Sequence, residues 1–164
     1  MQISKVEQYD FDVERRVKEM IAEYGYAQLC IDAPNSARPG FAFTVGLEHA
    51  HQTPELLAVG IAPQITAQLF AVCIAGHGNG TLDLASGNQC VSGLVQGCAL
   101  GFRTAPPALV LKANAARPHR NQDIRALVQV LIPDDAGNFP GDPACDPSVA
   151  IAQDADWIVA ETAN

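Results

Sequence analysis

The clearest pattern in the sequence is an alternation of bulky and small residues in two neighbouring segments, 41–47 and 55–61. In the first segment, aromatic and branched side chains alternate with alanine, threonine and glycine, and the second repeats this division from residue 57 onward. Successive side chains of a β-strand point to opposite faces, so a period of two predicts two strands. A face of small residues also lets a helix or a ligand approach the backbone closely.

The same division between bulky and small residues returns over residues 94–103, which predicts a third strand of this kind. Shorter apolar segments predict three further strands, over residues 26–31, 107–112 and 125–132, the second of them at a sheet edge. A turn is expected at residues 133–138. The chain after this turn is expected to be irregular as far as a short element near residues 155–161.

Apolar positions at helical spacing predict two helices. The first begins at Asp12 and ends at Gly25, and its apolar stripe consists of Val13, Val17, Met20, Ile21 and Tyr24. The second begins at Pro63, ends within residues 76–80 and turns inward Ile65, Leu69, Val72, Cys73 and Gly76. Proline suits a first helical turn because its missing N–H would have no partner there, and glycine suits a left-handed C-terminal cap.

The order of these elements lacks the regular alternation of strand and helix that gives a parallel sheet. We therefore expect an α+β fold in which a mainly antiparallel, barrel-like sheet packs against two or more helices. One domain should span residues 1–164, with its core over residues 12–132 and an acidic, irregular C-terminal segment over residues 133–164.

Composition narrows the functional classes. The 164 residues carry a net charge of −8, which argues against a nucleic-acid partner or an anionic membrane surface, since both require clustered positive charge. The N-terminus has no apolar signal segment, and the longest nearly apolar run, residues 67–76, is about half as long as a membrane-spanning helix. A cytoplasmic location is the expectation. Five widely spaced cysteines without a Cys-x-x-Cys pair indicate neither a zinc ribbon nor a thiol redox motif.

Charge is distributed unevenly after residue 83. No acidic residue lies between Asp83 and Asp123, and no basic residue follows Arg125, whereas seven acidic residues do. In one interpretation the acidic tail folds back and neutralises the basic segment. In the other, an anion or phosphate site is formed by Arg103, Arg117, His119 and Arg120.

The connection between the first two strands, residues 48–54, holds the densest group of ionisable side chains near the predicted core. Imidazole and carboxylate groups can bind a metal or act as an acid–base pair, but the spacing here matches no zinc motif and supplies no third or fourth ligand nearby. A solvated polar loop explains the same residues. No metal site and no catalytic residue are assigned, and the ligand-binding candidates in this region are Thr44, Glu48, His49, His51 and Glu55.

Several motifs are shared with a known family. They are Thr-Val-Gly-Leu at residues 44–47, Pro-Glu-Leu at 54–56, Val-Gly-Ile at 59–61 and Pro-Asp-x-x-Gly-x-Phe-Pro at 133–140. Together they resemble the uncharacterised bacterial family DUF4262 over residues 16–153. One departure is at Thr53, where the family usually has a histidine. The resemblance implies a bacterial cytoplasmic protein and defines no activity.

Three functions remain as hypotheses. The first is a module that binds a small ligand or a protein partner without chemistry of its own. The second is an oxidoreductase that binds flavin or haem, because strands followed by a helix loosely resemble split-barrel flavin proteins. The third is a metal-assisted hydrolase that uses His49, His51 and Glu55. The sequence does not identify a cofactor, decide whether the protein is an enzyme or exclude a homo-oligomer.

Overall fold

The structure, a computed structural model, describes residues 5–32, 40–116, 123–156 and 158. Its helices are α1 (Lys5–Tyr24), α2 (Leu47–His51), α3 (Pro63–Gly78), α4 (Pro107–Ala116) and α5 (Pro147–Ala152). Its strands are β1 (Ala27–Ile31), β2 (Phe41–Val45), β3 (Glu55–Val59), β4 (Gln89–Val95), β5 (Cys98–Thr104) and β6 (Leu127–Leu131). The expected α+β class, with helices packed on a sheet, is confirmed.

The six strands form one sheet in the order β1-β2-β3-β6-β5-β4. Four of the neighbouring pairs are antiparallel, and the central pair, β3 with β6, is parallel. The sheet is therefore mainly antiparallel, as expected. The expectation of a barrel-like sheet is wrong, because β1 and β4 lie at opposite edges of an open sheet.

Both faces of the sheet are covered by helices. On one face, Phe43 and Leu57 belong to a buried cluster that includes Val17 of α1 and Leu109 of α4. On the other face, Ala42, Ala58 and Leu100 belong to a second cluster with residues of α3. The register pairs Ala42 with Ala58 and Phe43 with Leu57, so the small residues of β2 and β3 share one face. The fully buried Phe70 of α3 packs on that face, which explains the alternation of bulky and small residues.

Two predicted strands have a different structure. Residues 94–103 form the end of β4, a two-residue turn at Gln96 and Gly97, and most of β5. Gly97 has a φ of 78°, which this tight turn requires, whereas in the sequence it counted as one more small residue of an alternating run. The predicted edge strand 107–112 lies in α4, where Leu109 and Ala113 are buried one turn apart.

The ends of several elements also differ from expectation. Helix α1 begins at Lys5, well before Asp12, but ends as predicted at Gly25, whose N–H donates to the carbonyl of Ile21 at 2.8 Å. Strand β2 ends at Val45, and the expected loop 48–54 contains most of α2. In the C-terminal segment, α5 occupies residues expected to be irregular. Residues 157 and 159–161 of the predicted short element lie outside the described residues.

The predicted helical stripes are partly correct. Val17 is buried in α1, whereas Tyr24 is 63% exposed. In α3, the inward positions include Leu69, Cys73 and Gly76 as predicted, but Ile65 is 50% exposed and its place is taken by Thr66 and Phe70. None of the helices described here has the length and apolar character needed to cross a membrane.

Candidate functional site

Helix α2 is a short helix that turns the chain from β2 into β3. Gly46 begins the turn with a φ of 108°, which favours glycine, and Gln52 ends the helix with a φ of 56°. The N–H of Gln52 donates to the carbonyl of Glu48 at 3.1 Å. Of its five residues, Leu47 is buried. This element is thus held to the sheet by one apolar side chain and by polar contacts.

The main polar contact of α2 is the carboxyl group of Glu55, the first residue of β3, which is 2% exposed. Its Oε2 accepts the hydroxyl of Thr44 at 2.6 Å, and its Oε1 accepts the N–H groups of Gly46 at 2.8 Å and Glu48 at 3.1 Å. The Thr44 hydroxyl in turn accepts the N–H of Leu56 at 2.9 Å. Glu55 therefore takes the place of the N-terminal capping side chain that Gly46 lacks.

Burial raises the pKa of Glu55 to about 7. The hydrogen bonds from Thr44, Glu48 and Gly46 act in the opposite direction, and the negative charge of Glu48 adds to the rise. The carboxyl group consequently exchanges its proton near neutral pH, although it lies inside the protein.

The carboxylate of Glu48 links α2 to the start of β6, the strand that pairs with β3. Oε1 of Glu48 accepts the N–H groups of Arg125 at 2.8 Å and Ala126 at 3.0 Å. The N–H of Glu55 donates to the carbonyl of Ala126 at 3.0 Å. These bonds connect α2, the start of β3 and the start of β6 where the parallel strands pair.

A cleft of about 930 Å³ opens beside this connection. We name it the α2 cleft, and its polar lining residues are Glu48, His49, Gln52, Thr53, Asp123 and Arg125. Thr53 is 3% exposed, and its hydroxyl has no hydrogen-bond partner among the described residues. Buried hydroxyl groups are nearly always hydrogen-bonded, so this one is an exception that requires an explanation.

The structure brings together some of the predicted site residues. Thr44, Glu48 and Glu55 form the connected network, and His49 lines the α2 cleft. His51 is exposed on the same helix and is not among the lining residues of the cleft. Within the described ranges, no three His, Cys, Asp or Glu side chains lie close enough to hold a metal ion.

Arg103 lies elsewhere, in β5, and contacts the C-terminal segment. Its Nε donates to Oε1 of Gln129 at 3.0 Å, and one terminal nitrogen donates to the carbonyl of Gln153 at 3.4 Å. Arg103 thus contacts the tail through the carbonyl of Gln153, and among the described residues it forms no ion pair with an acidic residue of the tail. The other members of the predicted anion site, Arg117, His119 and Arg120, lie outside the described residues.

The side chain of Gln153 fixes the C-terminal segment to the end of β6. Its side chain accepts the N–H of Ile132 and donates to the carbonyl of the same residue, both at 2.8 Å, and it is 4% exposed. Replacing Gln153 with alanine should lower the free energy of unfolding by about 2 kcal/mol, because both backbone groups lose their partner. Urea denaturation measures this change. The matched variant Gln96→Ala, at an exposed turn, should have little effect, and equal effects of the two would contradict the docking role.

Some residues of the α2 cleft were not among the sequence candidates, namely Gln52, Thr53, Asp123 and Arg125. Thr53 stood out in the sequence only as a departure from a family pattern. Asp123 and Arg125 are about 70 positions from α2, and only the pairing of β3 with β6 brings them to the cleft.

The family model of DUF4262, a domain of unknown function, matches residues 20–146. The chain belongs to the DUF4262 family. No curated protein and no solved structure matches it. In this DUF4262 protein, the Thr-Val-Gly-Leu and Pro-Glu-Leu motifs have a direct structural explanation. They supply Thr44, Gly46 and Glu55, the residues whose hydrogen bonds position α2.

Proposed function

We propose that this DUF4262 protein is a binding module for small polar molecules and that the α2 cleft is its binding site. The observation that carries the proposal is the Thr53 hydroxyl. An unsatisfied buried polar group costs roughly 1–3 kcal/mol, and a ligand that completes the missing hydrogen bond recovers part of that energy. Thr53 lines the cleft, and its buried hydroxyl has no partner among the described residues, so a ligand reaches it when the residues around it shift.

The lining residues suggest the chemistry of the ligand. Arg125, His49 and Thr53 line the α2 cleft, and their side chains carry a guanidinium, an imidazole and a buried hydroxyl. Glu48 lines the same cleft with its Oε1 already engaged by two backbone N–H groups. A small molecule with an anionic group for Arg125 and a hydroxyl or amine for Thr53 fits this set. The volume falls in the range of small-molecule sites.

Binding can be tested by recording ¹⁵N–¹H spectra while amino acids, hydroxy acids, sugar phosphates and nucleotides are added singly. We expect at least one of these classes to shift the amides of Thr53 and Ala126, with saturation. Shifts confined to residues remote from the α2 cleft, or no saturable shift from any class, would contradict the proposal.

The variant Thr53→Val separates binding from stability. Valine has nearly the shape of threonine without the hydroxyl, so the free energy of unfolding should rise by about 1 kcal/mol. Affinity for any ligand found in the screen should fall about tenfold, because a hydrogen bond to Thr53 is lost. Thr53→Ser is the matched control and should retain binding. A valine variant that is less stable and binds equally well would show that Thr53 is already satisfied without a ligand.

The other two hypotheses have less geometric support. A flavin or haem would need access to the small-residue face of the sheet, and α3 packs on that face at Ala42 and Ala58. A metal-assisted hydrolase would need a further ligand beside His49 and Glu55, which the described residues do not bring there. We also propose that this binding module acts in the bacterial cytoplasm, the location expected from the sequence.

A further inference from the structure

Helix α2 forms one wall of the α2 cleft and covers a group that can gain or lose a proton. The buried carboxyl of Glu55 contacts the N–H groups of Gly46 and Glu48, at the start of α2, and the helix supplies Glu48 and His49 to the cleft. Any change in the position of α2 therefore changes both the burial of Glu55 and the shape of the cleft.

The two protonation states of Glu55 differ in how well they suit this site. A neutral carboxyl keeps a carbonyl oxygen for the two N–H groups of α2 and can exchange a hydrogen bond with Thr44. An ionised carboxyl adds a buried charge, and no cationic side chain among the described residues forms an ion pair with it. Opening α2 would return that charge to water.

Helix α2 is short enough to open without loss of the core. Leu47 is its buried residue, and the two buried clusters also contain residues of α1, α3 and α4 that do not depend on α2. Local openings of this kind are drawn from elements with few buried apolar contacts.

We propose that α2 is a proton-controlled wall of the binding site: protonated Glu55 favours the closed position of α2 on the sheet, and loss of that proton shifts the equilibrium towards opening. Glu55 acts as a positioning residue, through α2, and does not itself touch the ligand. The consequence for ligand binding rests on the proposed function: the α2 cleft should be better formed below neutral pH than above it. By linkage, a ligand that requires the closed cleft binds together with proton uptake at Glu55.

The direction of this pH effect follows because Glu55 holds its proton more tightly in the closed site than when it is exposed to water. Burial raises the pKa of Glu55 to about 7, compared with 4.5 for the exposed group. The opening equilibrium should therefore increase about tenfold between pH 6 and pH 8. Within the part of the chain that the structure describes, the other charged or titratable groups around α2 are Glu48, His49, His51, Asp123, Arg125 and the half-buried Tyr26.

Amide hydrogen exchange of the ligand-free protein tests the opening directly. The reporters are the N–H groups of Ala50 and Gln52, which donate to the carbonyls of Gly46 and Glu48. Their protection, corrected for the intrinsic effect of pH on exchange, should fall about tenfold from pH 6 to pH 8. The N–H of Asn79, bonded to the carbonyl of Ala75 in α3, is an internal control that should not respond.

Two variants test whether Glu55 causes the pH dependence of amide protection in α2. Glu55→Gln resembles the protonated form and should make the protection of Ala50 and Gln52 independent of pH. The double variant His49→Asn/His51→Asn should keep the wild-type response, which removes the two exposed imidazoles as its source. A flat wild-type profile, or a slope retained in Glu55→Gln, would overturn the proposal.

A second readout does not depend on the variants folding. In the wild type, the ¹⁵N shifts of the Gly46 and Glu48 amides should titrate with a midpoint near pH 7, because both donate to Glu55. Absence of that titration would also overturn the proposal. Since no ligand is added, failure of either measurement is distinct from failure of the compound screen that tests the proposed function.

Discussion

Replacing Glu55 with glutamine is expected to remove about 3 kcal/mol of pH dependence from the free energy of unfolding. The pKa of Glu55 is raised from 4.5 to about 7 in the folded protein, so the folded state holds this proton more tightly than the unfolded chain. The resulting stabilisation is complete below about pH 4.5 and is lost as pH rises through about 7. Glutamine does not titrate and has no such contribution.

The measurement is a series of urea denaturation curves for the wild type and Glu55→Gln between about pH 4.5 and pH 8. The difference in free energy of unfolding, wild type minus variant, should fall by about 3 kcal/mol across this range. Taking the difference removes the contributions of groups common to both proteins. Parallel pH profiles for the two proteins would show that Glu55 titrates normally and that its burial is not as described.

Replacing Gly46 with alanine is expected to lower the free energy of unfolding by about 3 kcal/mol. The φ of 108° at this position is strained for any residue with a side chain. A β-carbon there would also lie 3.0 Å from the carbonyl oxygen of Gly25 and 3.2 Å from the Cα of Tyr26, both of which belong to the backbone. Neither atom can move aside as a flexible side chain could.

Gly78→Ala is the matched control for this variant. Gly78 is the last residue of α3, has no positive φ and has open space where a β-carbon would be added. Alanine there should change stability by less than about 1 kcal/mol, in the favourable direction if at all. Thermal or urea unfolding of both variants provides the comparison. A Gly46→Ala protein as stable as Gly78→Ala would contradict the tight turn at Gly46 that precedes α2.

Four strands, β1, β2, β3 and β6, lie inside the predicted segments. Strands β2, β3 and β6 have a strong local pattern because they are buried on both faces, and the partly exposed β1 is short and bounded by turn residues. The hairpin of β4 and β5 was missed because Gly97 fits both a tight turn and a small-residue face. Helix α4 was missed because a short apolar run such as residues 107–112 has no period that separates a helix from a strand.

The open form of the sheet was also not predicted, and the reason is different. Whether a sheet closes depends on which distant strands pair, and side-chain periodicity contains no information about partners. The parallel pairing of β3 with β6 places these strands at the centre and leaves β1 and β4 at opposite edges.

For the candidate site, the ionisable cluster of residues 48–55 predicted the region in which the structure has the Glu55 network and the α2 cleft. Thr44 and Glu48 both donate hydrogen bonds to the carboxyl of Glu55, which their separation along the chain did not show. The lack of a partner for Thr53 is a property of the folded surroundings and leaves no mark in the sequence. Charge alone suggested either an anion site or an acidic partner for Arg103, whereas its observed partners, Gln129 and Gln153, are uncharged.

The parallel pair at the centre of the sheet has a consequence for how the protein folds. It divides the sheet into two groups of three strands, β1-β2-β3 and β4-β5-β6. Each group is contiguous in sequence and can form early from antiparallel neighbours, whereas joining them brings Glu55 opposite Leu127, 72 positions later. Contacts over such separations close late and slowly, because loop-closure entropy must be overcome first. The α2 cleft is assembled at this junction, so we expect the proposed binding site to form late in folding.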